Sequence, residues 1–157
     1  MDTRSYLIES FLALIKRYDY NKQREIIKEI QARFEKENDI FVPATVFSSK
    51  LGALETIVKY LKENLGLDTK EIARLLDRNN ASIISTYNSA KTKIASEIKA
   101  KDSIYRIPLK IFKDKRFGIQ ESIVSYLKTE YNLHLSDIAT LLSRNYQTIR
   151  TAYIRYN

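Results

Sequence analysis

Apolar residues recur at three- and four-residue intervals along most of the chain, which predicts a succession of amphipathic helices. Tyr6, Leu7, Ile8, Phe11, Leu12, Leu14 and Ile15 define a helix over residues 4–17 with a wide apolar face. Tyr18-Asp19-Tyr20-Asn21 interrupts it, and Asp19 or Asn21 is placed to cap a second helix. That second helix runs to about Asn38. Ile26, Ile27, Ile30 and Phe34 lie on one side, and Lys, Arg and Glu occupy the other at spacings that allow i,i+4 pairs. Together these predict an N-terminal helical hairpin over residues 1–40. It either covers part of the core or serves as a surface for homodimer formation or for a protein partner.

The pattern then changes. Pro43 stops a helix arriving from upstream and is suited to the first turn of a new one, so a short helix is expected over 44–47. From there the chain repeats itself. Residues 51–91 align without gaps on 117–157, and 16 of 41 positions are identical. They include Gly52/Gly118, Glu55/Glu121, Ile57/Ile123, Leu61/Leu127, Ala73/Ala139, Arg78/Arg144, Asn79/Asn145, Ile83/Ile149 and Tyr87/Tyr153. Upstream the match continues at an offset of 65, pairing Val42-Pro43 with Ile107-Pro108 and Phe47 with Phe112. A fixed internal period of this kind marks a repeated structural unit. The expected division is a hairpin at 1–40, a first repeat at 41–98 and a second at 99–157. The fold class is all-α.

Each repeat reads as four helical pieces. A short one follows the proline. A second spans 52–64 or 118–130, with Gly66 and Asn132 suited to a left-handed turn after it. A third spans 69–76 or 135–142, with Thr69 and Ser136 near its start. A fourth spans 80–92 or 146–156. The segment 92–105 lacks Gly and Pro, and the fourth helix is expected to continue through it as a rod toward Ala100.

The third and fourth pieces carry the candidate chemistry. Ala73 and Ala139 permit a close helix crossing, and Leu75-Leu76 and Leu141-Leu142 supply core. Asp77-Arg78-Asn79 and Ser143-Arg144-Asn145 form the turn, with each Asn as an N-cap or a left-handed residue. Ile83/Tyr87 and Ile149/Tyr153 anchor the last helix. This is the grammar of a helix-turn-helix, whose second helix presents polar residues at the N-terminal end that enters the major groove.

Composition and charge agree with that direction. Of 157 residues 44% are apolar and 29% charged, with three Gly, two Pro and no Cys. That excludes a Gly-rich phosphate loop, disulfides and thiolate metal sites. The single histidine, His134, is expected on the surface. No metal, cofactor or enzymatic site is expected, because no polar groups with distinct protonation roles converge. No apolar run approaches a membrane span, and no signal peptide is evident. A cytoplasmic, nucleoid-associated protein is the expectation. The net charge is +8. Residues 1–41 are neutral, and each repeat carries an excess of +4, so the positive field lies with the repeats.

The pattern Ile-Ala-x-Leu-Leu-x-Arg-Asn-x-x-Thr-Ile-Arg at 138–150 resembles the helix-turn-helix of sigma-factor region 4 and of response-regulator output domains. It is also similar to small archaeal helix-turn-helix proteins. The resemblance covers 67–92 and 133–157. It implies that Thr148, Ile149 and Arg150 begin a recognition helix, with Ile149 inward. The first repeat has Ser82 and Ile84 where Thr148 and Arg150 stand.

Elimination of the inward positions leaves the candidate DNA-binding residues. In the second repeat they are Arg144, Asn145, Tyr146, Gln147, Thr148, Arg150, Thr151 and Arg155. In the first they are Arg78, Asn79, Asn80, Ser82, Ser85 and Asn88, with Lys91 and Lys93 downstream. Gln can read adenine, Arg can read guanine, and Thr can meet a thymine methyl or a phosphate. Arg78 and Arg144 serve either as phosphate contacts or as structural bonds within the unit. Tyr146 and Tyr156 are expected to be exposed. The expected partner is double-stranded DNA, addressed by two units in one chain as a transcription regulator or architectural factor. The competing expectation is a protein-interaction adaptor in a transcription or replication complex.

Overall fold

The structure is a computed structural model that describes residues 3–37 and 39–157, with the backbone alone at positions 32 and 34–37. It is mostly helical and divides into two compact units, Met1–Asp39 and Ile40–Asn157.

The first unit holds α1 (Thr3–Ile15) and α2 (Tyr20–Glu37). Asp19 starts the second helix, its Oδ1 accepting from the Lys22 N–H at 3.1 Å. Only Ile15 of α1 is buried, whereas Tyr6, Leu7, Ile8, Phe11, Leu12 and Leu14 are exposed. The expected apolar stripe is therefore present in the sequence but largely uncovered. Asn38 and the Phe34 side chain lie outside the described residues.

The second unit contains the repeats in matching element order. The first has β1 (Phe41–Pro43), a 3₁₀ turn (Ala44–Val46), α3 (Ala53–Glu63), α4 (Thr69–Leu75) and α5 (Asn80–Lys93). The second has β2 (Arg106–Pro108), a 3₁₀ turn (Leu109–Lys113), α6 (Ile119–Glu130), α7 (Leu135–Leu141) and α8 (Tyr146–Tyr156). The two short strands are absent from the sequence expectation. They form an antiparallel pair with Phe41 opposite Pro108, Val42 opposite Ile107 and Pro43 opposite Arg106. The Ala44 N–H donates to the Tyr105 carbonyl at 2.9 Å, and the Leu109 N–H donates to the Ile40 carbonyl at 3.0 Å. Those bonds put both prolines at ladder positions that need no N–H donor. The outward N–H of Arg106 donates instead to the Tyr131 hydroxyl at 3.0 Å.

This pairing relates the repeats by a local two-fold, and α3 packs against its counterpart α6. One hydrophobic cluster runs through both repeats. Val42, Ile57, Leu61, Ile72 and Ile83 belong to it together with Ile107, Ile123, Leu127, Ile138 and Ile149. The expected rod over 92–100 does not form. The helix ends at Lys93, and Ile94 is extended at φ −138° and ψ 104°. The connector then runs back toward β2 without helix, and the Asn64 side-chain amide donates to the Ile98 carbonyl at 2.8 Å. Ile94 and Ile98 are both partly covered, so apolar anchoring on the repeat replaces a straight helix.

Candidate nucleic-acid interface

In each repeat two helices meet at a tight turn, and the turn is built the same way twice. The Arg78 N–H donates to the Ala73 carbonyl at 2.8 Å, and the Arg144 N–H donates to the Ala139 carbonyl at 2.8 Å. This six-residue closure needs one left-handed residue. Asp77 at φ 50° and Ser143 at φ 51° fill that place. The asparagines that follow are N-caps: Asn79 Oδ1 accepts from the Ala81 N–H and Asn145 Oδ1 from the Gln147 N–H, both at 2.8 Å. The caps of the preceding helices stand just before the expected hydroxyls, with Thr69 and Ser136 in the first turns of α4 and α7. Asp68 caps α4, accepting from the Glu71 N–H at 2.8 Å, and His134 holds the cap position of α7.

α4 packs on α5 and α7 on α8. Ile83, Ile149 and Ala152 are buried, which turns the rest of each last helix outward. On α8 the exposed set is Tyr146, Gln147, Thr148, Arg150, Thr151, Ile154 and Arg155. Gln147, Thr148, Thr151 and Arg155 line an open cleft against Gln120 and Glu121 of α6. On α5 the exposed set is Ala81, Ser82, Ile84, Ser85, Asn88, Ser89, Lys91, Thr92 and Lys93, while Asn80 is partly covered. The structure thus brings the polar candidates of each repeat onto one helix face. The α8 face carries Arg150 and Arg155, whereas the α5 face has no base before Lys91 and Lys93 at its C-terminal end.

Several candidates have intramolecular partners. The Arg144 guanidinium donates to the Leu51 carbonyl of the other repeat, so it braces the turn. Its counterpart Arg78 is partly covered, with a buried Nε that has no hydrogen-bond partner. Lys93 pairs with both carboxylate oxygens of Glu55, at 2.8 and 2.9 Å, and Ser89 donates to the same group at 2.6 Å. Burial works to raise the Glu55 pKa. The hydrogen bonds from Lys93, Ser89 and the Gly52 N–H outweigh it and hold the carboxyl at about 2. Glu121 repeats the arrangement: it accepts from the Gly118 N–H at 2.9 Å and lies 3.9 Å from Arg155, which stands where Ser89 does. Each glutamate therefore ties the first turn of one helix to the end of the outward helix. Lys91 extends over the Tyr87 ring at 5.8 Å. Tyr146 is 45% exposed, but Tyr156 is partly covered because its ring stacks on Phe117 at 4.1 Å.

A second basic group is absent from the sequence expectation. Lys113 at the end of the 3₁₀ turn, and Lys115 and Arg116 in the loop before α6, are all exposed. Lys115 Nζ donates to the Leu76 carbonyl at 2.6 Å and lies 3.9 Å from Asp77, at the turn of the first repeat. The available signal was the change of repeat offset from 65 to 66, which places one extra residue within 113–116.

Comparisons with known protein families, curated proteins and solved structures return no match. No helix among the described residues is long and apolar enough to cross a membrane.

Proposed function

We propose that the protein binds double-stranded DNA through α4–α5 and α7–α8, used as two helix-turn-helix units of one covalent pseudo-dimer. The observation that carries this is the outward face of α8. Gln147, Thr148, Arg150 and Thr151 are all exposed near the start of a helix whose inward face is fixed by Ile149 and Ala152. That is the arrangement a recognition helix needs to reach base edges. A cytoplasmic role on nucleoid DNA, as a transcription regulator or an architectural factor, accords with the same reading. The alternative is a protein adaptor, and the exposed Ile84 in the base-free first turns of α5 favours it for the first repeat.

The test is a titration of the full chain against duplex DNA at two salt concentrations. Binding that weakens steeply with salt is expected, because Lys and Arg would displace counterions from phosphates. No binding at low salt overturns the reading.

A further inference from the structure

We propose that the loop Lys113, Asp114, Lys115 and Arg116 of the second repeat supplies the phosphate contacts that flank α5 of the first. This rests on the DNA-binding reading and assigns a site within it. The two outward helices are unequal, since Arg150 and Arg155 on α8 are matched on α5 by Ile84 and Ser89. The loops that precede α3 and α6 are unequal in the opposite sense. Residues 44–50 hold one base, Lys50, and no acid. Residues 109–116 hold Lys110, Lys113, Lys115 and Arg116 against Asp114.

The crossing of the loops makes this inequality meaningful. Lys115 reaches the first repeat's turn through the Leu76 carbonyl, and Arg144 in the second repeat's turn reaches Leu51. Each pre-helix loop therefore sits beside the turn of the other repeat. The base-rich loop lies next to the helix whose first two turns carry no base, and the nearly uncharged loop lies next to the helix that carries Arg150 there.

The local chemistry suits an anionic partner. Asp77 would repel phosphate at the start of α5, whereas its counterpart Ser143 would not. Lys115 sits 3.9 Å from that carboxylate and offsets it. Its ammonium has three donors and gives one to Leu76, so others remain for a phosphate. Arg116 is 80% exposed and is oriented by its bonds to Asp114 and by the Phe117 ring beneath it at 5.4 Å. Phe117 in turn stacks on Tyr156, so the loop is fixed at both ends.

The experiment measures duplex binding of the full chain as a function of salt, with hydroxyl-radical footprinting. Lys113→Gln with Arg116→Gln should lower the slope of log K against log salt by about 2, since each phosphate contact contributes about 0.9. Protection should be lost on one side of the footprint and kept on the other. Ser48→Lys with Ser49→Lys, in the counterpart loop, should raise the slope by about the same amount. Slopes and footprints that match the wild type in both variants overturn the assignment while the DNA-binding reading stands. A wild-type chain that does not bind duplex overturns both.

Discussion

Val42 and Ile107 face each other at the centre of the β1–β2 pair, and they are the same position of the two repeats. An isologous contact of this kind is how two copies meet across a two-fold. Here both copies belong to one chain. Each side chain is 0% exposed, so the axis of the pair is also the middle of the shared core.

A charge at this point should damage both repeats together. Ile107→Asp places a carboxylate among apolar neighbours with no partner, a change expected to cost about 3 kcal/mol or more. Urea denaturation followed by circular dichroism should show one transition at a lower midpoint. Two separate transitions would mean that each repeat folds on its own core.

The repeats differ inside as well as outside. Lys59 is fully buried in the first repeat, and its Nζ pairs with both Glu63 oxygens at 2.6 and 2.7 Å. The Tyr87 hydroxyl donates to the same carboxylate at 3.0 Å. In the second repeat Ser125 and Thr129 stand at these places. Removing one partner strands a buried charge, so Glu63→Ala should cost about 3–5 kcal/mol. Lys59→Ser with Glu63→Thr copies the second repeat and removes both charges, so it should cost clearly less. Chemical denaturation of the two variants decides the matter, and equal losses would show that the pair is not desolvated.

The bond network of Glu55 predicts acid sensitivity. Its carboxyl sits at about 2 in the folded chain against an ordinary 4.5. A depressed acid contributes stability that is fully present above its unfolded pKa and is lost as pH falls through its folded pKa. The contribution should therefore fade between about pH 4.5 and pH 2. Glu55→Gln should remove this part of the pH dependence and lower stability at pH 7. A variant whose stability tracks the wild type through the same window would show that Lys93 and Ser89 hold the glutamate only weakly.

The helices and turns were legible in the sequence because local patterns decide them. Ala73, Ile83 and Asn79 fix a crossing, an inward face and a cap within a short span, and the repeat states each twice. Long-range features left weaker marks. The β1–β2 pairing joins segments about sixty residues apart, and three residues ending in proline carry no strand period. The reach of Lys115 to Leu76 was equally hidden, because nothing in either segment points to the other. Arg144 was legible as a turn residue, but its bond to Leu51 depends on the two-fold. The connector departs from expectation for a related reason. Absence of Gly and Pro permits a helix but does not require one, and the docking of Ile98 beside Asn64 was stronger.

The unequal outward helices α5 and α8 give a direct mutational contrast. Arg150→Ala removes an exposed guanidinium from α8 and should weaken duplex binding by about 1–3 kcal/mol. Ile84→Ala on α5 should change it by less than about twofold, because Ile84 offers no hydrogen bond to a base edge. Fluorescence anisotropy with a labelled duplex measures both. Equal effects would argue against α8 as the principal reader.

The N-terminal hairpin supports a prediction about assembly. α1 contains one base, Arg4, and one acid, Glu9, among thirteen residues. Tyr6, Leu7 and Leu14 are 64, 61 and 58% exposed, with Ile8, Phe11 and Leu12 also open. A helix that is apolar on every side is ordinarily buried on every side, and a single partner helix such as α2 covers one. Monomeric proteins seldom expose large apolar patches, and six large apolar side chains are open on this one helix. Residues 1–41 carry eight bases and eight acids, so like-charge repulsion does not oppose contact between copies. Pairing with a second copy of the hairpin would cover this surface in a four-helix bundle. Sedimentation velocity should show a dimer at micromolar concentration. Leu7→Glu with Leu14→Glu, one heptad apart, should return the chain to a monomer while the unfolding midpoint of Ile40–Asn157 stays in place. A wild-type chain that sediments as a monomer at every concentration would rule out self-association through this surface.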